Sequence, residues 1–213
     1  MPHALLFTTG PTDCGRDTPQ STNLSIRWVG GIVAIADPAH ARRTLYQGRI
    51  VDLGLETARF PDGRTVELEV IRHPGAAAVV PIHADGRVTL VHQYRHAGGG
   101  MHFEIPAGVL EPRESPETCA VRELAEEVQL KAEDLTSLLS IHTTPGFTDE
   151  RIHIFLARGL DEVDGKPEED EYIKVVHMPL DAAIRMVQDG EITDGKTICG
   201  LFAARDFLAG DAI

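Results

Sequence analysis

Glutamates are crowded into one short segment of the chain, AGVLEPRESPETCAVRELAEEVQL, which spans residues 107–130. Within it, Ser115 followed by Pro116 predicts the start of a helix, because a serine oxygen caps free amides and proline suits the first helical position. Nothing in the sequence breaks this helix before Val128. Three carboxylates then share one arc of the helix surface, namely Glu123, Glu126 and Glu127.

Two interpretations of this acidic arc are open. The ordinary one is a solvated helix face, on which Arg122 pairs with Glu126 one turn further on. The other is a site for a hard divalent cation, which takes several carboxylate oxygens that converge from a rigid support. Mg²⁺ in particular binds few carboxylates and leaves its other positions to water and substrate phosphate. The close spacing of the acids favours the second interpretation.

Composition and charge exclude several classes of function. The chain has 213 residues, 42% of them hydrophobic, and a formal net charge of −13. Such a charge is unsuited to binding a nucleic-acid backbone or anionic lipid, since both need basic surface. No apolar run approaches the roughly 18 residues that span a bilayer, and we expect neither a membrane segment nor a secretory signal. The cysteines are scattered (Cys14, Cys119 and Cys199), so a reducing cytoplasm is expected.

The chain divides into three parts by composition and pattern. Residues 1–41 are predicted to be an irregular lead-in, because Thr, Pro, Gly and Ser dominate their first thirty positions. Residues 42–72 alternate apolar and polar positions around a PDG turn, which predicts an antiparallel β region. Residues 73–213 carry strands in hairpins with a few helices between them, which favours a mixed sheet with helices packed on it. Within this part, strands are predicted at 76–95 (two, split by an ADG turn), 135–143, 151–160 and 172–178, and helices at 179–190 and 196–210.

The acidic segment resembles the signature of the Nudix hydrolases: Gly, five residues, Glu, seven residues, then Arg-Glu-apolar-x-Glu-Glu-x-Gly-apolar. The matching positions are Gly108, Glu114, Arg122, Glu123, Leu124, Glu126, Glu127 and Leu130. One position departs, because Gln129 stands where the family has a helix-ending glycine, and its effect on the turn is left open. The resemblance covers roughly residues 42–205 and implies a Nudix α/β/α sandwich with a mixed β-sheet, preceded by the N-terminal antiparallel β region.

The resemblance also implies a role for each matched residue. Glu123 and Glu127 match the family's principal metal-ligating pair, with Glu126 as a further ligand beside them. The backbone carbonyl of Ala107 corresponds to one that often completes the metal shell. Arg122 corresponds to the residue that orients the glutamates. The positions expected near the substrate are Gly108, Glu114, Arg95 and Glu150.

Segments outside the signature, among them LVHQYRHAGGG and FEIPAGVLE, resemble the ADP-ribose pyrophosphatase subgroup. This implies hydrolysis of ADP-ribose to AMP and ribose 5-phosphate with two or three Mg²⁺ or Mn²⁺ ions. Arg95 is expected against the phosphates and Glu150 near the substrate and metals. The water-activating base is expected in the acidic loop DEVDGKPEEDEY, at Glu169 with Glu171 as competitor.

The subgroup resemblance further implies a homodimer, in which the β region at 42–72 pairs between subunits. Trp28, Tyr46 or Phe60 is a candidate for stacking on the base, although each is more often a packing residue. Other readings are a hydrolase of another sugar nucleotide such as GDP-mannose or ADP-glucose, a non-catalytic nucleotide sensor, and a diphosphate isomerase. The last requires a nucleophilic cysteine, and Cys119 lies inside the predicted helix. The identity of the group linked to the diphosphate, the preferred metal and the role of residues 1–41 stay open.

Overall fold

The structure is a computed structural model, and it describes residues 42–164 and 172–211. The predicted lead-in and Trp28 lie outside this range. The strands are β1 (Arg43–Gln47), β2 (Asp52–Arg59), β3 (Thr65–Arg72), β4 (Ala76–Pro81), β5 (Arg87–Arg95), β6 (Gly100–Glu104), β7 (Ala107–Val109), β8 (Leu130–His142), β9 (Arg151–Glu162) and β10 (Ile173–Pro179). The helices are α1 (Pro116–Val128), α2 (Leu180–Gln188) and α3 (Gly195–Asp211).

These strands form three sheets. The N-terminal sheet has the antiparallel order β1-β2-β3, which confirms the predicted N-terminal β region. A second antiparallel sheet has the order β10-β5-β6. The third has the order β7-β4-β9-β8 and is mixed, because β4 and β9 are parallel while its other pairs are antiparallel. The short strands β6 and β7 were not predicted from the glycine-rich sequence around them.

The two strands predicted on either side of the ADG turn are β4 and β5. They belong to different sheets, and a single isolated bridge between Ile82 and Val88 connects their ends. Every residue of β4 is buried, as in strands covered on both faces. One edge of β4 pairs with β7 at Ala76–Ala78, and the other edge pairs with β9 along its whole length.

The core lies on both faces of the mixed sheet. Alternate residues of β4 enter two hydrophobic clusters, since successive side chains of a strand point to opposite faces. Val80 packs in one cluster with Leu201 of α3, and Val79 packs in the other with Leu124 of α1. Helices therefore cover both faces, which confirms the predicted α/β/α sandwich. Within the described residues, no helix is long and apolar enough to cross a membrane.

Helix α1 has the predicted bounds and caps. The Ser115 side chain accepts a hydrogen bond from Thr118 N at 3.2 Å, and Pro116 occupies the first turn. At the other end Gln129 adopts the left-handed conformation, with φ 57° and ψ 40°. The turn thus keeps the backbone conformation that glycine favours, although the residue there is glutamine.

Replacing Gln129 by glycine should stabilise the protein. A side chain in the left-handed region costs about 1–2 kcal/mol, and the greater freedom of glycine in the unfolded chain offsets about 0.5–1 kcal/mol. We therefore expect Gln129→Gly to raise the free energy of unfolding by about 0.5–1 kcal/mol, measured by urea denaturation. A variant less stable than the parent would show that the glutamine is not strained at this turn.

Candidate active site

A cleft of 550 Å³ gathers most of the residues singled out from the sequence. Its acidic lining comprises Glu111, Glu123, Glu126, Glu127 and Glu150. Its basic lining comprises Arg49, Arg95, Arg122 and Lys196, and the backbone at Ala107 and Gly108 forms another part of the wall. A larger cavity of 1080 Å³ elsewhere, beside His83 and His177, contains none of the predicted site residues. The smaller cleft is therefore the candidate site.

Arg122 organises the acids at one end of this cleft. Its Nε and Nη2 each donate to the Glu114 carboxylate at 3.0 Å. Its Nη1 donates to Glu123 at 2.5 Å and to Glu126 at 3.0 Å. The hydrogen bonds that Glu114 accepts, first from Arg122 and next from the backbone N–H of Glu111, lower the pKa of Glu114 to about 2. The contacts of Arg122 with these acids, led by Glu114, raise the pKa of its guanidinium, so Arg122 and Glu114 form a charged pair at neutral pH.

Glu127 is held by the main chain of the neighbouring strand. The amide N–H of Ala107 donates to Glu127 Oε2 at 3.0 Å. Glu123 and Glu127 are only 8% and 7% exposed, and buried carboxylates are costly unless they are paired or bind cations. Helix α1 and strand β7 thus place two buried carboxylates and the backbone of Ala107 in one wall of the cleft.

The Glu123 carboxylate lies directly against Gly108. A Cβ at position 108 would sit 1.8 Å from Glu123 Oε1 and 2.1 Å from its Cδ, so no other residue type fits without moving that carboxylate. Beneath the same strand, Cys119 is fully buried and donates to Gly108 O at 3.5 Å. Burial, and next the charge of Glu123, raise the pKa of the Cys119 thiol to about 11. A buried thiol with a raised pKa is much less reactive than the nucleophilic cysteine that the isomerase reading requires.

Glu150 reaches the cleft because its loop is attached to the N-terminal sheet. The backbone N–H of Ile71 at the end of β3 donates to Phe147 O at 2.8 Å. The neighbouring Arg72 donates to Asp149 Oδ2 at 2.9 Å. Within the loop, Thr143 Oγ1 donates to Glu150 Oε2 at 2.7 Å. The β region at 42–72 therefore contributes to the site by fixing this loop.

Arg95 and Lys196 line the basic part of the cleft, and the buried Glu104 contacts both of them; the sequence reasoning missed Lys196 and Glu104. Arg95 donates from Nε to Glu104 Oε1 at 2.9 Å and from Nη2 to Glu104 Oε2 at 2.8 Å. Lys196 Nζ donates to the same Oε2 at 2.6 Å and to Asp194 Oδ2 at 3.0 Å. The sequence contains Glu104 in the segment FEIPAG and Lys196 in the segment DGKT. Each is a single charged residue, and no cluster like that of the α1 glutamates draws attention to it.

The pKa of Glu104 predicts an acid-dependent loss of stability. Burial raises this pKa, but the hydrogen bond from Arg95 and the charge of Lys196 outweigh it and lower the pKa to about 2 from an ordinary 4.5. The contribution of Glu104 to stability is therefore complete above pH 4.5 and is lost as the pH falls towards 2. We expect Glu104→Gln to be destabilised by about 2 kcal/mol at pH 7.

The difference in free energy of unfolding between the parent and Glu104→Gln should become smaller as the pH is lowered. Urea denaturation at pH 7, 4 and 3 measures it. Other carboxylates titrate equally in both proteins, so the difference isolates Glu104. A difference that does not change with pH would contradict the lowered pKa.

Several predicted residues are not brought to the cleft or cannot be placed. Glu169 and Glu171 lie outside the described residues, and their role as base stays a prediction. Tyr46 and Phe60 are 60% and 37% exposed and do not line the cleft. Arg49, which was not predicted, enters the cleft from the turn between β1 and β2.

The residues of the acidic wall fit a hard divalent cation. Carboxylate oxygens and backbone carbonyls are the donors that Mg²⁺ takes, and the glycine at 108 leaves room for the Glu123 carboxylate. In the part of the chain that the structure describes, no three acidic, histidine or cysteine side chains already surround one point. The hydrogen bonds to Arg122 and to Ala107 N account for the positions of these carboxylates.

Comparisons with known proteins identify the family of the chain. The NUDIX domain model matches residues 72–200. An ADP-ribose pyrophosphatase of Bacillus subtilis (strain 168) is 38% identical over 159 residues, covering 74% of this chain and 86% of that protein. A GDP-mannose pyrophosphatase of Yersinia enterocolitica is 38% identical over 136 residues, covering 60% and 71%. A crystal structure of an ADP compounds hydrolase has the same fold, with a TM-score of 0.70 at 24% identity, covering 80% of this chain and 93% of that one.

The α/β/α sandwich of this chain is that of a hydrolase domain. The chain belongs to the Nudix family.

Proposed function

We propose that the protein hydrolyses the diphosphate of ADP-ribose, giving AMP and ribose 5-phosphate. The observation that carries this proposal is the single cleft in which the α1 carboxylates, Ala107 and the Arg95 guanidinium meet. The choice of ADP-ribose is supported by the B. subtilis relative, whose similarity extends over a larger share of this chain than that of the GDP-mannose pyrophosphatase.

Magnesium or manganese is the proposed cofactor, with two or three ions in the working site. Glu123, Glu127 and the carbonyl of Ala107 would hold them, with Glu126 as a further ligand. Bound divalent cations neutralise the charge of a diphosphate and lower the pKa of a water molecule at the site. The absence of a side chain at Gly108 leaves room for the Glu123 carboxylate. Arg122, which is itself paired with Glu114, holds the acids on one side of the cleft.

The remaining steps are assigned to side chains of this chain. Arg95 binds the substrate phosphates with its guanidinium fork, which suits phosphate oxygens. Glu150 lies in the same cleft and is proposed to act near the substrate. Glu169 is proposed to accept the proton of the attacking water, with Glu171 as the competing residue.

Incubation with ADP-ribose and Mg²⁺ in heavy-oxygen water tests the reaction. We expect one heavy oxygen in either AMP or ribose 5-phosphate, and the labelled product identifies the phosphorus that is attacked. Cleavage without incorporation of label, or no cleavage of any sugar nucleotide, would refute hydrolysis and favour a nucleotide-sensing protein.

The alternative substrate is another sugar nucleotide, and the similarity to the GDP-mannose pyrophosphatase favours testing GDP-mannose first. Initial rates on ADP-ribose, GDP-mannose and ADP-glucose separate the alternatives. We expect the highest kcat/KM for ADP-ribose. A higher value for GDP-mannose would reassign the substrate and leave the chemistry unchanged.

A cytoplasmic homodimer is the proposed state of the protein, with residues 42–72 at the interface. Exposed apolar side chains are concentrated in this part of the chain, and such patches are typical of interfaces. They are Leu45, Tyr46, Ile50, Val51, Phe60 and Leu68. Light scattering after gel filtration should give twice the 23.2 kDa chain mass, and replacing Leu45 and Leu68 by glutamate should lower it to one chain. A parent protein that elutes as a monomer would refute the dimer.

A further inference from the structure

Glu104 is a buried carboxylate that contacts two cations of the cleft. It lies at the end of β6 and is 3% exposed. Oε1 accepts from Arg95 Nε at 2.9 Å, while Oε2 accepts both from Arg95 Nη2 at 2.8 Å and from Lys196 Nζ at 2.6 Å. Both cations line the same cleft as the α1 carboxylates, whereas Glu104 itself does not.

These contacts fix the direction in which each cation can bind a further group. Because Glu104 occupies the Nε and Nη2 edge of Arg95, the plane of the guanidinium is set and Nη1 lies on the edge away from that carboxylate. An ammonium has three N–H donors. Two of those on Lys196 are used, by Glu104 and Asp194, so its third direction is set as well.

The segment that carries Glu104 is anchored on both sides. The backbone N–H of Ile105 donates to Thr197 Oγ1 at 2.9 Å, next to Lys196 at the start of α3. Thr197 in turn donates to Asp194 Oδ2 at 2.6 Å. Two residues after Ile105, the N–H of Ala107 donates to Glu127. One short stretch of chain therefore connects the basic part of the cleft with its acidic wall.

The charges that line the cleft indicate that the contacts of Glu104 with Arg95 and Lys196 matter for function as well as for stability. Five glutamates line the cleft, and they would attract any long basic side chain that is not otherwise held. Buried ion pairs in general add little to the stability of a fold, because the cost of removing the charges from water offsets the attraction between them. Holding Arg95 and Lys196 by a separate buried acid fixes where their positive charges lie in the cleft.

We infer that Glu104 is a positioning residue that holds Arg95 and Lys196 to receive the phosphate oxygens of the substrate. This inference rests on the proposed function, because it requires a diphosphate substrate in this cleft. Glu104 itself does not contact the substrate, and its effect is transmitted through the two cations. Its loss should therefore weaken binding of the substrate more than it slows the chemical step.

The test compares the parent protein with Glu104→Gln, which has the same shape without the charge. Two quantities are measured: KM and kcat for ADP-ribose with Mg²⁺, and the calorimetric Kd of ADP-ribose in EDTA, where the substrate is not consumed. We expect KM and Kd to rise at least about 10-fold and kcat to fall about 3-fold or less. The reason is that the lost interactions bind the ground state and the transition state alike, so their loss raises KM more than it lowers kcat. Glu104→Asp retains the charge on a shorter side chain and should show a smaller rise.

Two further variants separate positioning from a general effect on the fold. Asp134→Asn removes a charged partner of Arg158 in an ion pair of 2.7 Å, neither residue of which lines the cleft, and should leave KM and Kd within about twofold. Lys196→Met combined with Glu104→Gln should raise Kd by less than the product of the single effects, since interacting residues are not additive. If Glu104→Gln does not fold, KM, kcat and Kd of Glu104→Asp and of Lys196→Met are compared with those of the parent instead.

The possible failures are distinguishable. If the parent protein does not hydrolyse ADP-ribose but binds it, the proposed function is wrong and the positioning role is still decided by Kd. If the parent hydrolyses ADP-ribose while Glu104→Gln and Glu104→Asp leave KM and Kd unchanged, the inference alone is overturned. Strictly multiplicative effects of Glu104→Gln and Lys196→Met would also overturn it, as would a loss confined to kcat. If the parent neither binds nor hydrolyses ADP-ribose, both are wrong.

Discussion

Replacing Glu127 by glutamine should reduce kcat by about 10³-fold, on the scale of losses seen when one charge-stabilising group is removed from an active site. Glutamine has nearly the same shape, and its amide oxygen can still accept the hydrogen bond from Ala107 N that holds the native side chain. It has no negative charge for a divalent cation. The variant should therefore unfold at the same urea concentration as the parent while turnover of ADP-ribose is lost.

Glu117→Gln is the matched control for this variant. Glu117 is an exposed acid in the first turn of the same helix and does not line the cleft. Its replacement should leave kcat within about twofold. Equal rates for the parent and Glu127→Gln would remove Glu127 from the metal site, and equal losses in both variants would indicate an effect on the helix as a whole.

Replacing Gly108 by alanine should lower kcat/KM by at least about 100-fold, although only one methyl group is added. The new Cβ would lie 1.8 Å from Glu123 Oε1, so the carboxylate must move by more than an ångström. Misplacement of a catalytic group on this scale is enough for a loss of that size. Since Glu123 also accepts a hydrogen bond from Arg122, the displacement should spread to the guanidinium that orders the other acids.

Gly210→Ala provides the control for this substitution. Gly210 lies near the end of α3, where an added Cβ meets no atom within 4 Å, and alanine is the better helix former. This variant should keep full activity and gain a few tenths of a kcal/mol in stability. Full activity of Gly108→Ala in the same assay would show that the position of Glu123 is not required for turnover.

The acidic wall could be predicted from sequence because its geometry is local. Ser115 and Pro116 fix the start of α1, and helical periodicity then places Glu123, Glu126 and Glu127 relative to one another without knowledge of the rest of the fold. Even the unusual Gln129 adopts the conformation that the pattern requires, because the chain must turn there into β8.

The basic part of the cleft could not be predicted in the same way. Arg95, Glu104 and Lys196 are brought together by strand pairing and by the docking of α3, over separations of up to 92 residues. The division of β4 and β5 between two sheets is also non-local and was not predicted. A turn sequence specifies a reversal of the chain, but it does not specify that the distant strand β9 pairs with β4.

The most direct test of the central claim is anomalous diffraction from crystals soaked with Mn²⁺ and a non-hydrolysable ADP-ribose analogue. The claim is that the α1 carboxylates bind divalent metal beside a diphosphate. It predicts manganese peaks in contact with Glu123, Glu127 and the carbonyl of Ala107, bridged to phosphate oxygens. A bound analogue with no manganese at these oxygens, or manganese only at other positions on the surface, would contradict it.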